Sequence, residues 1–257
     1  TPYSRAMSAF LLGHPDCQDF GRKFKIAFSG CREEACGLVR MHDLGFIAQK
    51  RVINGAEQRG FEAYVGGGLG AVPRQAKLME EWVSEADILP LAQAICRVFA
   101  RMGEKRVRSR ARIKFLVDKL GMDEFQKLVR EERSSMPHDS AWTAYLEGVS
   151  SGEPGPLKGA GSLNGEPRSE SFSQWLMTNV YTQRQSGYGV VTVHLPLGDL
   201  SSFQMRGLSD IARKYVGDNV RTTVEQNIVF RWVCESDYPD VFQALDAIGL
   251  SLSLIHI

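Results

Sequence analysis

The 257 residues hold 31 Lys and Arg against 30 Asp and Glu, a formal net charge of +1 at pH 7, and 43% are hydrophobic. That balance belongs to a globular protein large enough for one big domain or two ordinary ones, and it leaves no whole-molecule field to attract nucleic acid or a membrane surface. No apolar run approaches a membrane span and no signal-peptide pattern opens the chain, while five cysteines (Cys17, Cys31, Cys36, Cys96, Cys234), odd in number and irregularly spaced, read as reduced thiols of a cytoplasmic protein.

The chain opens at Thr1 in a helical pattern (TPYSRAMSAFLLGH). Residues 24–29 (FKIAFS) are predicted as a strand, which sets Lys23 and Lys25 on one face because side chains alternate. Like charges so close call for an anion between them, unless both are solvated at a strand end. A loop with Cys31 and Cys36 follows, then a strand or short buried segment over 41–48 (MHDLGFIA). Residues 59–69 (RGFEAYVGGGL) run from a strand into a glycine cluster. A helix is predicted over 87–102, with Pro90 in its first turn and Leu91, Ile95, Val98 and Phe99 on one face. Two more helices are predicted: 110–119, with Ile113, Leu116 and Val117 inward and Gly121 as its stop, and 123 to about 133.

Composition then changes. Residues 150–171 (SSGEPGPLKGAGSLNGEPRSES) are rich in Gly, Pro and Ser and read as a linker. Beyond them come a strand at 188–195, a helix at 201–215, strands at 220–224 and 228–233 around Glu225-Gln226-Asn227, and a helix at 238–248. The β-α-β-β-α order predicts a ferredoxin-like α+β module. The fold class is expected to be α+β: a mixed sheet with flanking helices, followed by that module. Residues 251–257 are apolar with no capping chemistry, and the sequence reads as a fragment with a tail outside the fold.

Taken singly, the motifs are weak. Gly66-Gly67-Gly68-Leu69-Gly70 follows a strand, yet it has neither the dinucleotide spacing nor the Lys-Ser/Thr of a phosphate loop, and alone it reads as a tight turn. Cys31-x4-Cys36 matches no zinc spacing and reads as two loop or buried thiols. The basic run 105–114 (KRVRSRARIK) is a solvated face or an anchor for a polycarboxylate. The five histidines show no ligand pairing; His42, beside Asp43, is the one to watch.

In order along the chain, however, these pieces resemble the siroheme- and 4Fe–4S-dependent nitrite and sulfite reductases. Arg22-Lys23-Phe24-Lys25 resembles that family's basic active-site strand, and Gly60-Phe61-Glu62-Ala63-Tyr64-Val65-Gly66-Gly67-Gly68-Leu69 its strand and glycine loop. The stretch from Ile88-Leu89-Pro90-Leu91 to Gly121 resembles the helical closure of its first siroheme domain. Arg221-Thr222-Thr223-Val224-Glu225-Gln226-Asn227 is similar to a stretch of its second ferredoxin-like half-domain.

The resemblance implies a partial siroheme domain at 1–149, a linker at 150–171, a ferredoxin-like half-domain at 172–250 and a tail at 251–257. It implies an oxidoreductase with siroheme and a 4Fe–4S cluster that reduces sulfite to sulfide or nitrite to ammonia, with ferredoxin as electron donor. On that footing Lys23 and Lys25 are anion-binding, proton-supplying groups and Arg22 is a cofactor contact. Gly66, Gly67 and Gly68 are the loop against siroheme, and Arg108 and Arg112 are contacts to its carboxylates. Lys25 leans toward sulfite, since nitrite-reducing plant members carry Asn there. No cysteine here falls at a cluster position, so those ligands, and two further arginines, are expected outside this fragment, which by itself is expected to be inactive. The alternative is a homologue that binds an anionic tetrapyrrole without catalysis.

Overall fold

The computed structural model describes residues 1–33, 37–149, 154–165 and 168–252, so Cys36 and residues 253–257 lie outside the described residues. The chain divides into two compact units, residues 1–152 and 153–257. Among the described residues no helix is long and apolar enough to cross a membrane.

In the first unit helix α1 (Pro2–Leu11) precedes a four-stranded sheet of β1 (Ile26–Ser29), β2 (Leu44–Ile53), β3 (Ala56–Val65) and β4 (Lys77–Ser84), in that spatial order. β1 runs parallel to β2 and the other pairs are antiparallel, so the sheet is mixed, as the sequence predicts. β2 and β3 form a ten-residue hairpin closed by Asn54-Gly55, both at positive φ, the geometry that matches strand twist in a two-residue turn. Alternation then sorts the faces. Phe61, Ala63 and Val65 join Leu44 and Phe46 in the main core, while Tyr64 and Ile47 point to a small cluster on the other face.

Helices α2 (Ile88–Met102), α3 (Ile113–Leu120) and α4 (Met122–Ser135) supply the rest of that core. α2 is buried on most sides, as an apolar helix at the centre of a domain must be. Buried Glu132 of α4 pairs with Arg97 and Arg101 of α2, which satisfies the one carboxylate that α4 carries inward. Gly121, at φ 78, ends α3 as predicted. β4 and the short helix α5 (Ala141–Ala144) have no counterpart in the sequence reading, and β1 starts at Ile26, after both lysines.

The second unit contains α6 (Glu170–Asn179), β5 (Val180–Thr182), β6 (Tyr188–Val193), α7 (Ser202–Tyr215), β7 (Val220–Thr222), β8 (Ile228–Cys234) and α8 (Tyr238–Asp246). Its sheet order is β5-β6-β8-β7, antiparallel throughout. From β6 to α8 the elements follow the predicted β-α-β-β-α order; α6 and β5 precede it. Ser201 and Gln204 form a capping box that starts α7. Within residues 154–165, the Lys158 carbonyl accepts from Tyr188 Oη at 2.7 Å and the Gly155 carbonyl from Asn219 Nδ2 at 3.0 Å.

Trp175, fully buried in this second core, ties α6 to α8 through Phe242, with ring centroids 5.4 Å apart. Trp175→Ala is expected to cost about 3–5 kcal/mol of stability, read by chemical denaturation; a loss under about 1 kcal/mol would show that α6 is not part of the fold's core.

Candidate functional site

The site forms at one end of the first sheet, where β1 and β2 begin and β3 ends. Phe24 sets its phase: its ring lies 5.5 Å from Phe20 and 5.9 Å from Phe99, centroid to centroid, and is drawn into the core. With Phe24, Ile26 and Phe28 turned inward, the alternate residues Lys23 and Lys25 turn outward, and both are exposed. Although β1 starts one residue later, Lys25 is already in the ladder, its carbonyl accepting from Leu44 N at 3.2 Å.

A buried carboxylate locks this arrangement. Asp43, fully buried, accepts from the backbone N–H of Lys25 at 3.0 Å through Oδ2. The Arg112 guanidinium reaches it with two bonds, Nε to Oδ1 at 3.1 Å and Nη2 to Oδ2 at 2.7 Å. This fork is the strong form of an ion pair, and burial makes breaking it costly. The same residue's carbonyl accepts from Gly66 N at 2.9 Å, so Asp43 joins the starts of β1 and β2, the end of β3 and the entry to α3.

The glycine loop forms the facing rim. Gly66, Gly67 and Gly68 are buried against their own unit: Gly67 N donates to the His42 carbonyl at 3.0 Å, and a Cβ on Gly68 would lie 2.9 Å from Arg112 Nη1. Gly68 therefore admits the arginine that Asp43 holds. Beyond it the chain loops out through Leu69, Gly70, Ala71 and Val72 and returns, Gly68 and Arg74 exchanging two backbone bonds of 2.9 Å. Inside the loop sits the buried Lys114 ammonium. Burial first, then the Arg112 and Arg74 charges, pushes its pKa below that of an ordinary lysine.

Between rim and lysines lies a cleft of about 700 Å³. Arg22, Lys23, Lys25, Arg112 and Lys114 line it together with His42; among the described residues no Asp or Glu lines it. Arg22, Lys23 and Lys25 make no ion pair with any carboxylate among the described residues. Exposed Leu38, Leu69 and Val72 give the opposite side an apolar surface. An arrangement of this kind holds an anion, or a flat apolar body with an anionic edge.

Of the sequence-selected residues, then, Arg22, Lys23, Lys25 and Arg112 converge on one cleft, and Gly66–Gly68 support its rim from beneath. Arg108 does not line the cleft with its side chain; its carbonyl accepts from Arg22 Nη1 at 3.4 Å. The basic run was expected to open a helix, but helix α3 begins only at Ile113, because Arg112 is extended and turned to Asp43. Arg106, Arg110 and Lys119 line a neighbouring hollow of about 940 Å³ that shares Val72 and Phe115 with the cleft. Asp43 and Lys114 were missed. The available signal was Lys114 at i−3 from inward Val117, a charge on the flank of an apolar helix face.

Among the described residues no three His, Cys, Asp or Glu side chains come together to hold a metal. Cys17, Cys96 and Cys234 are free thiols.

Comparison with known proteins places the chain in a family. The family model for the nitrite and sulphite reductase 4Fe–4S domain matches residues 1–137, and that for the nitrite/sulfite reductase ferredoxin-like half domain matches 181–248. The chain belongs to the nitrite and sulphite reductase family. A relative named sulfite reductase [ferredoxin] 2, from Mycolicibacterium paratuberculosis, is 28% identical over 95% of this chain and 39% of its own length. The chloroplastic ferredoxin–nitrite reductase of Zea mays is 26% identical over 89% of this chain and 36% of its own length. The solved structure of the Mycobacterium tuberculosis NirA protein superposes with a TM-score of 0.70 at 24% identity, covering 97% of this chain and 41% of that one, and supports the fold. The chain thus spans about two fifths of the length of such family members.

Within this family member the Asp43–Arg112 pair is expected to be worth more to the fold than any exposed charge of the cleft. Arg112→Met, which strands a buried carboxylate, should lower stability by about 3–5 kcal/mol in urea denaturation. The double variant Asp43→Leu/Arg112→Met should lose less than the two single changes added together. Strict additivity would show that the two side chains do not act as a pair.

Proposed function

We propose that this chain provides the siroheme-facing wall and a ferredoxin-like half-domain of an enzyme that reduces sulfite to sulfide or nitrite to ammonia, taking electrons from ferredoxin. One observation carries this reading: an electropositive cleft with an apolar rim and no carboxylate among the described residues that line it, set at the end of the sheet where Lys23 and Lys25 face outward together. Its shape and charge suit a macrocycle that is apolar on its faces and anionic at its edge. Siroheme and the 4Fe–4S cluster, when bound, would carry the donor's electrons to the anion in the six-electron reduction.

The residues of this chain supply position and protons. Arg22 is close enough to the lysines to hold a peripheral carboxylate of the cofactor. Lys23 and Lys25 hold the oxyanion between two ammonium groups, which brings substrate and proton donors together and offsets the repulsion of the pair. Each oxygen lost leaves as water and takes two protons; ammonium groups beside it are placed to give them. Asp43 fixes Lys25 through its backbone, so the side chain remains free for the anion. Arg112, spent on Asp43, shapes the wall more than it binds a carboxylate. The cluster finds no ligand set among the described residues, and its cysteines are assigned to sequence beyond this chain.

The test is to express the complete coding sequence with a supply of siroheme, record the visible spectrum, and assay sulfite and nitrite with a reduced donor. Lys23→Ala should lower turnover of either anion by about 10²-fold or more while the protein keeps its siroheme. Lys25→Asn should shift the ratio of activities from sulfite toward nitrite. A colourless, inactive full-length protein would overturn the reading.

A further inference from the structure

Lys114 is placed where a lysine ought to be unfavourable. It sits in the first turn of α3, the positive end of the helix, is 3% exposed, and has Arg112 and Arg74 as neighbours. The compensation is local. Its three N–H donors meet three carbonyls of one loop, Val72 at 2.6 Å, Leu69 at 3.1 Å and Gly68 at 3.5 Å. Both arginines are themselves neutralised by carboxylates, Arg112 by Asp43 and Arg74 by Asp118 at 2.6 Å. The ammonium therefore lies between two ion pairs and is enclosed by the loop Gly68–Arg74, whose outer surface is the apolar rim of the cleft.

We infer that Lys114 is a positioning residue: its ammonium is the peg around which the loop Gly68–Arg74 is wound, and it thereby sets the rim against which the cofactor's face rests. The second half of this inference rests on the siroheme reading of the cleft; the first half does not. Neither Lys23 nor Lys25 can do the same work, because both are exposed and line the open cleft. The loop has no other interior. Its Leu69, Gly70, Ala71 and Val72 are exposed, so no packing beneath them replaces the three carbonyl bonds.

The test is amide hydrogen exchange on the complete protein and its Lys114→Met variant, which keeps the length of the side chain and removes the donors. The Gly68 and Arg74 amides, which bond each other's carbonyls, should exchange at least tenfold faster in the variant. The Lys25 and Gly66 amides, held by Asp43, should keep their rates. Siroheme absorbance per mole of protein should fall several-fold in the same variant. Unchanged exchange at Gly68 and Arg74 in the folded variant would overturn the peg. Faster exchange with undiminished siroheme content and an unaltered spectrum would overturn the positioning role. Should Lys114→Met fail to fold, Lys114→Arg replaces it. A planar guanidinium cannot direct three donors to this loop, so the same amides should again exchange faster, and unchanged rates would overturn the inference. A wild-type protein that takes up no siroheme would refute the proposed function and leave the exchange result to decide the peg independently.

Discussion

The carboxylate of Asp43 is the interaction on which the first unit's functional end depends. It is fully buried and lies where three strand ends and a helix entry meet, accepting the Lys25 N–H and both arms of Arg112 while its own carbonyl takes the Gly66 N–H. A buried charge of this kind is tolerable only with each lone pair satisfied, and here the satisfying groups come from separate stretches of chain. Hydrophobic burial places the sheet and helices, but it is indifferent to small shifts along a strand. The carboxylate is not, because its bonds have short range and fixed direction. The lysine strand is thus referenced to the glycine loop by hydrogen bonds instead of by packing alone.

That reference allows the cleft to be unfavourable on its own terms. Arg22, Lys23 and Lys25 are close in sequence, share a cleft and have no carboxylate partner among the described residues. Such a cluster lowers stability slightly through self-repulsion, and solvent exposure keeps the cost small. Other cations of the same unit are treated in the opposite way. Arg112, Arg74, Arg97, Arg101 and Lys114 are each matched to a carboxylate or to carbonyls. The chain separates cations matched within its own fold from cations that have no carboxylate partner among the described residues.

Much of this was legible in the sequence, for physical reasons that differ by element. Helix α2 showed its apolar face and Pro90, and the strand ending in Val65-Gly66-Gly67-Gly68 showed its glycine cluster; both signals are local. β4 was not legible, since Glu80 and Glu81 interrupt its alternation and its pairing with β3 shifts register near Ala63. β5 is three residues long, too short to show alternation, and α6 begins at Glu170, inside the Gly- and Pro-rich stretch that reads as a linker. Lys23 and Lys25 were legible as a pair because alternation alone places them together. Asp43 was not, because a carboxylate before a strand looks like any turn residue until its partner, 69 residues away at Arg112, is known.

The same logic explains why the basic run divides. Of its six cations, Arg112 turns to Asp43 and Lys114 turns into the glycine loop, although the two are separated by a single residue. Arg112 is extended and precedes the helix, whereas Lys114 lies within its first turn, so their side chains leave the backbone in different directions. Arg106 and Arg110 stay in the open turn before the helix and line the neighbouring hollow. Val72 and Phe115 stand between the two hollows, and Val72 is also the residue whose carbonyl binds Lys114 most closely. The wall between them is therefore only as firm as the bond to that ammonium, and this ties the shape of an electropositive surface to a charge spent on the loop's carbonyls.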